Sequence, residues 1–250
     1  GPGLPGWEAS APILAGEAPW EDAAFAPPAP AMLPATERRR TSPSVRLALA
    51  VAQEAVQASG LPAAELASVF ASSNGDGSVI GAILGALQEP LVQISPTQFH
   101  NSVHNAAAGY WGIAAGCTRP SVSLGGHDRI FATGLLHAAT QVAATRAPVL
   151  FCAYDAPLPA PLSGKRRTDI AFATAMVLAP DGEGPALALR FEAEAAAEEP
   201  AMDGALAALL PLNPVARALP LLAAIAARRG AAFAFPLTED SRLAVAVAPA

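Results

Sequence analysis

Apolar residues recur with two different periods along this chain, and the change of period marks its elements. Over residues 42–60, Val45, Leu49, Ala52 and Val56 repeat at three- and four-residue spacing, the stripe of an amphipathic helix. Ser42 offers a capping hydroxyl, Pro43 suits the first helical position and Gly60 supplies the stop. The run LASVFAS at 66–72 predicts a buried strand, which leaves through the loop Ser73-Asn74-Gly75-Asp76-Gly77. A helix over 78–87 follows, then the short apolar run 91–94 and the turn Ser95-Pro96-Thr97.

The stretch 95–153 reads as helix, strand, glycine turn, helix, strand. Small residues fill the helix 106–115, and 120–124 form a short β-type run. Gly125 and Gly126 permit backbone angles that other residues resist, and a long apolar helix occupies about 128–145, before a strand at 149–154. A strand that breaks sharply into a helix throws one side chain to the front of a sheet, which is how many α/β enzymes present a nucleophile. Here that residue is Asp128. The Pro-rich loop 155–169, containing Gly-Lys-Arg-Arg, has the length usually given to binding or interfaces. Strands at 170–178 and 186–194 read as a hairpin, followed by helices at 204–210 and 214–229 and strands at 231–235 and 243–247. This order predicts one layered α/β domain over 1–250, its body at 42–250. Before the body, residues 1–41 hold eight prolines, which disfavour helix interiors and central strands. Trp7, Trp20 and Phe25 make this segment an ordered wrap docked on the body, since free tails tend to lack aromatics.

Composition narrows the function classes. With 52% hydrophobic and 14% charged residues in 250, a large buried core is expected. A net charge of -6 gives no basic stripe for nucleic acid; Arg38-Arg39-Arg40 and Lys165-Arg166-Arg167 read as solvated loop or interface charges. Cys117 and Cys152 lack metal spacing and read as buried, reduced thiols, which favours the cytoplasm. No export signal and no run of about 20 apolar residues is present, so neither export by that route nor a membrane span is expected. The chain opens on Gly1 without a methionine, which admits missing N-terminal residues.

Candidate chemistry is sparse. His100 and His104, four apart, would share a helix face and offer two zinc ligands, but no acid or third histidine stands at a helpful spacing. The polar run 99–105 reads instead as a buried hydrogen-bonding network, and neither metal nor cofactor is predicted. Ser73 to Gly77 lacks the lysine of a phosphate loop and the spacing of a calcium loop, and reads as a turn. Ser121 or Ser123 with His127 and Asp128 would supply hydrolase groups, yet neighbours on one turn point in different directions. The plain reading of Asp128 is a helix cap.

The run SVSLGGHDRIFATGLLHAATQ resembles the active-site elbow of β-ketoacyl synthases of the thiolase-like fold, where a strand enters a tight turn that presents a catalytic cysteine. SPSVRLALAVAQEAV is similar to the early synthase helix, LASVFASSNGDG to the next strand and loop, and SPTQFHNSVHNAAAGYWGIAAG to the dimer-interface region. The likeness is greatest to short synthase-like proteins related to chain length factors of aryl polyene pathways. It puts Asp128 where the cysteine would stand, making Gly125, Gly126, His127 and Asp128 a vestigial elbow. A condensing centre also needs two later histidines, whereas all four histidines here lie at or before His137. The resemblance therefore implies a non-catalytic subunit paired with an active ketosynthase, with acyl carrier protein a further candidate partner. In that pairing 120–124, with Ser121 and Ser123, joins its counterpart strand. Phe99, His100, Asn101, His104, Asn105, Tyr110 and Trp111 contribute to the interface and the wall of an acyl tunnel. Two alternatives carry activity: a serine hydrolase or acyltransferase at the elbow, and a malonyl decarboxylase.

Overall fold

Capping and backbone chemistry set the first elements of the computed structural model, which describes residues 1–182, 184–196 and 198–249. Helices α1 (Trp7–Leu14) and α2 (Ala35–Arg40) precede α3 (Pro43–Ser59). The Ser42 hydroxyl accepts from the Val45 amide at 3.3 Å, and Gly60 closes α3 in the left-handed region at φ 67°. There follow β1 (Ala67–Ala71), α4 (Gly77–Ala86), α5 (Pro96–Asn101), α6 (Ala106–Ala115), β2 (Ser121–Leu124), α7 (Ile130–Thr145), β3 (Val149–Asp155), β4 (Phe172–Leu178) and β5 (Ala186–Ala193). Two 3-10 stretches, Ala205–Leu212 and Pro214–Ala218, lead into α8 (Leu219–Ala226), and β6 (Ala231–Pro236) and β7 (Ser241–Ala248) close the chain.

Strand β3 lies at the centre, buried at all seven positions. Val149, Phe151 and Ala153 face one core, and Leu150, Cys152 and Tyr154 the other, the strict alternation of a strand covered on both sides. The first sheet has the order β2-β1-β3-β4; β1 runs parallel to both β2 and β3, whereas β4 is antiparallel to β3. Helices α3 and α6 cover one face. Helix α7 covers the other and separates it from a second, antiparallel sheet of order β5-β7-β6, whose Leu243, Val245, Val247 and Phe235 complete the same core. The layers run helix, sheet, helix, sheet, the layered α/β architecture the sequence predicts. Helix α7 seats closely because of Gly134: a Cβ there would stand 2.6 Å from the Phe151 ring and 2.9 Å from the Ala71 methyl.

Two expectations fail. The hairpin does not form: β4 pairs with β3, and β5 pairs with β7 in the other sheet. The link between them, 179–185, does offer the turn dipeptide Asp181-Gly182, so the pairing is decided by the ladder partners that β3 and β7 supply and not by the turn; Glu183 in it lies outside the described residues. The N-terminal wrap is helical at α1 in spite of Pro12, which stands in the last part of that helix. Leu14, 7% exposed, anchors it, α1 packs on α8, and the Trp7 amide donates to Glu54 Oε1 at 2.6 Å, so tertiary contacts outweigh local propensity. The expected docking of the aromatics holds for Trp20, which packs on one core and donates from Nε1 to the Pro2 carbonyl at 3.0 Å, and for Phe25, which packs on the other.

Candidate functional site at the elbow

Because β1, β2 and β3 are parallel, the loops leaving their C-terminal ends gather at one edge of the sheet, where open α/β sheets build sites. The loop after β2 is the elbow. Its left-handed residue is His127, at φ 51°, and not Gly125 or Gly126 as the sequence suggests. Gly126 is required by close approach instead: a Cβ would lie 3.0 Å from Ile130 Cδ1 and 3.1 Å from Ile130 Cα. A short 3-10 turn, His127–Arg129, then enters α7.

Asp128 does stand at this bend, but it is not a helix cap, since its side chain accepts no capping bond at either helix start. It accepts instead from Arg166 Nη2 at 2.7 Å, and His127 Nδ1 lies 3.6 Å away. Arg166 is half-buried within the basic cluster expected to be solvated; Arg167 does meet that expectation, pairing at the surface with Asp169. Arg217 Nη1 donates both to the Asp128 carbonyl at 2.7 Å and to Glu199 Oε1 at 2.6 Å. Burial holds Glu199 above the ordinary carboxylate range, opposed by Arg217 and Arg129. The elbow is thus tied to the 156–169 loop by one arginine and to the first turn before α8 by another.

The neighbouring loop, Ser73 to Gly77, is the expected turn, and Asp155 organises it. This carboxylate, fully buried at the end of β3, accepts from the Ser72 hydroxyl at 2.7 Å, the Ser73 amide at 3.0 Å, the Asn74 amide at 3.3 Å and the Ser73 hydroxyl. Burial pushes its pKa up despite those bonds. The loop amides are therefore spent on a side chain of the protein itself. Asp76 ends the loop by capping α4 through the Val79 amide at 3.1 Å.

The run 99–105 is mostly exposed and not the buried network expected. Helix α5 ends at Asn101, so His100 and His104 do not share a helix face: the His100 ring stands edge-on to Tyr110, and His104 Nε2 bonds the Leu124 carbonyl at 2.8 Å. Among the described residues no three His, Cys, Asp or Glu side chains gather as metal ligands. Asn101 is buried and donates to the Arg40 carbonyl at 2.8 Å, while Asn105 is exposed. Tyr110 and Trp111, expected at an interface or tunnel wall, are each 1% exposed within the core between α3, α6 and Phe70, so their side chains are closed to a partner. Ser121 Oγ accepts from Ser68 Oγ at 2.9 Å, and Ser123 follows it along the edge strand. The side chain of His127 is 80% exposed and stands 3.6 Å from Asp128, and among the described residues it makes no hydrogen bond to Ser121 or Ser123. A serine–histidine–aspartate relay is therefore not assembled.

The α4–α6 region, which meets β2 through α6 and the His104–Leu124 hydrogen bond, has an unusually apolar surface. Leu91 is 73% and Phe99 67% exposed, joined by Leu87, Val92, Val103 and Ile113 on α4 to α6 and their connections. Strand β2 is an edge strand, and among the described residues no strand pairs with its outer side.

Among curated proteins none matches the chain. A solved ketosynthase (ApeO) in complex with its chain length factor (ApeC) from Xenorhabdus doucetiae contains a chain 22% identical, over 98% of this chain and 94% of that one, with a TM-score of 0.67. The ishigamide ketosynthase/chain length factor matches at 12% identity, 84% and 81% coverage and a TM-score of 0.63. Near-equal coverage in both directions means that the likeness extends over whole folds of similar length. The family model described as "Beta-ketoacyl synthase, N-terminal domain" matches residues 14–211. With that match spanning most of the sequence, from the N-terminal wrap through the elbow into the 3-10 stretch Ala205–Leu212, this chain belongs to the β-ketoacyl synthase N-terminal domain family.

Proposed function

We propose that this chain is a chain-length-factor-type subunit, without condensing activity of its own, that pairs through β2 and the α4–α6 surface with an active β-ketoacyl synthase. The observation that carries the reading is the edge strand β2 together with exposed Leu91, Phe99 and Val103 in the α4–α6 region that meets it through α6, an apolar area of the kind that a partner covers. The elbow supports it. A condensing enzyme needs a thiolate there to hold the acyl group, and this sequence sets a carboxylate bound to Arg166 at the bend. Both solved neighbours come from ketosynthase and chain length factor assemblies. The partner would be a ketosynthase of a fatty acid or polyketide type pathway, of which aryl polyene synthesis is one, with the acyl chain delivered by carrier protein in the cytoplasm. No helix among the described residues is long and apolar enough to cross a membrane.

Co-expression with a candidate ketosynthase tests the reading. A stable one-to-one complex, with poor solubility or self-association of this chain by itself, is expected. Failure to associate, or thioester hydrolysis by the isolated chain that Ser123→Ala abolishes, overturns it.

A further inference from the structure

A second feature lies at the opposite edge of the first sheet. Between the N-terminal wrap, α3, β4 and α8 the structure holds a cavity of about 720 Å³, and none of the elbow residues lines it. Its walls are apolar, with Val51 and Ala55 of α3, Phe172 and Met176 of β4, and Leu222 and Ile225 of α8. That volume and lining suit a small molecule, since ligand pockets span roughly 300–1,000 Å³ with a few polar groups placed among apolar ones.

The polar groups are unevenly satisfied. Glu54, the acid in the lining, already accepts from the Trp7 amide. Ser10, 4% exposed, presents a buried hydroxyl with no hydrogen-bond partner. Arg228 and Arg229, just beyond α8, line the mouth, are exposed, and have no ion-pair partner among the described residues. Ser10 stands on α1, which packs on α8, and the arginines follow the end of α8. A mainly apolar chamber whose lining includes cationic groups and one unpartnered buried hydroxyl is complementary to an amphiphile with an acidic head. We propose that the cavity binds a medium-chain amphiphilic acid, its hydrocarbon tail against α3 and β4 and its carboxylate held by Arg228, Arg229 and Ser10. This site is independent of the pairing surface, which lies along β2.

Dansyl-undecanoic acid fluorescence, titrated on the 250-residue chain alone and again with its partner bound, tests the proposal. Saturable one-to-one binding is expected, displaced by laurate about tenfold more effectively than by dodecanol, a ratio equal to one charge-assisted contact. Arg228→Ala with Arg229→Ala removes the preference for laurate, and Ser10→Ala weakens laurate alone. Val51→Trp and, separately, Ala55→Phe fill the chamber and abolish binding, with circular dichroism showing that at least one of the two remains folded. Absence of saturable binding overturns the proposal. Equal affinity for acid and alcohol overturns the head-group assignment, and binding that survives both filling variants but is lost in Phe99→Ser assigns the probe to the apolar β2 surface instead.

Discussion

Asp128 and Arg166, 38 residues apart, meet at 2.7 Å and tie the elbow to the loop after β3. The Arg166 side chain is 16% exposed and its Nε is buried without a partner, whereas Asp128 is 47% exposed. Loss of the carboxylate leaves a desolvated cation, and partial exposure moderates the penalty. Asp128→Ala is expected to lower the unfolding free energy by about 1–2 kcal/mol. A double-mutant cycle with Arg166→Met, followed by urea denaturation, should give a coupling near 1 kcal/mol; a coupling of zero contradicts the pair.

The same arginine makes a prediction about chemistry. In Asp128→Cys a thiol stands at the bend beside a guanidinium, which favours the thiolate. Iodoacetamide should label it well before Cys152, whose thiol burial pushes up and closes off. Condensation of malonyl thioester by the purified variant should stay at background, because a thiolate alone lacks the histidines that assist decarboxylation and stabilise the oxyanion. Product formation by the variant alone would contradict the subunit reading.

The pairing surface is tested by placing charge on it. Leu91→Glu and Phe99→Glu, at side chains more than half exposed, should leave the thermal midpoint nearly unchanged while weakening association with the ketosynthase at least about tenfold. Melts by circular dichroism read the first effect and analytical ultracentrifugation the second. Val142→Glu in the core is the contrasting case and should unfold the chain.

Two helical glycines separate close packing from local propensity. A Cβ at Gly134 meets Phe151 and Ala71 below 3 Å, whereas one at Gly109 meets nothing within 4 Å. Alanine gains about 1 kcal/mol over glycine in a helix interior, and overpacking costs about 1–3 kcal/mol. Gly109→Ala should therefore raise the melting temperature and Gly134→Ala lower it. Equal shifts would mean that α7 has room to move away from the sheet.

What the sequence made legible was local. The hydroxyl of Ser42, the ring of Pro43 and the freedom of Gly60 bound α3 through contacts within a few residues, and the apolar run at β3 matches a strand buried on both faces. What it hid was long-range. Nothing near Asp155 announces that Ser72, 83 residues earlier, will donate to it, and nothing in Gly-Lys-Arg-Arg distinguishes Arg166, drawn inward, from Arg167, left at the surface. The partner of β4 was hidden for the same reason: alternation sets which side chains face inward and is silent on which strand lies alongside. The elbow was legible as a bend, but its left-handed residue was not, because two adjacent glycines drew the expectation away from His127.

Asp155 gives the pH dependence. Burial pushes its pKa up from 3.8, and the Ser72, Ser73 and Asn74 hydrogen bonds oppose this without cancelling it. The folded chain therefore keeps this proton to a higher pH than the unfolded chain, whose carboxylate ionises near 3.9. Between those values the unfolded state binds fewer protons, so stability falls as pH rises. The contribution is fully present below the unfolded pKa and is lost as pH climbs through the raised folded value. Asparagine has no proton to exchange, so the difference in melting temperature between the wild type and Asp155→Asn should be most favourable to the wild type in acid and decline toward neutrality. Melts by circular dichroism from about pH 3.5 to pH 7 measure that difference. A difference that rises with pH would mean that the donors around the carboxylate outweigh its burial, and that the loop after β1 is held by an anion the interior prefers charged.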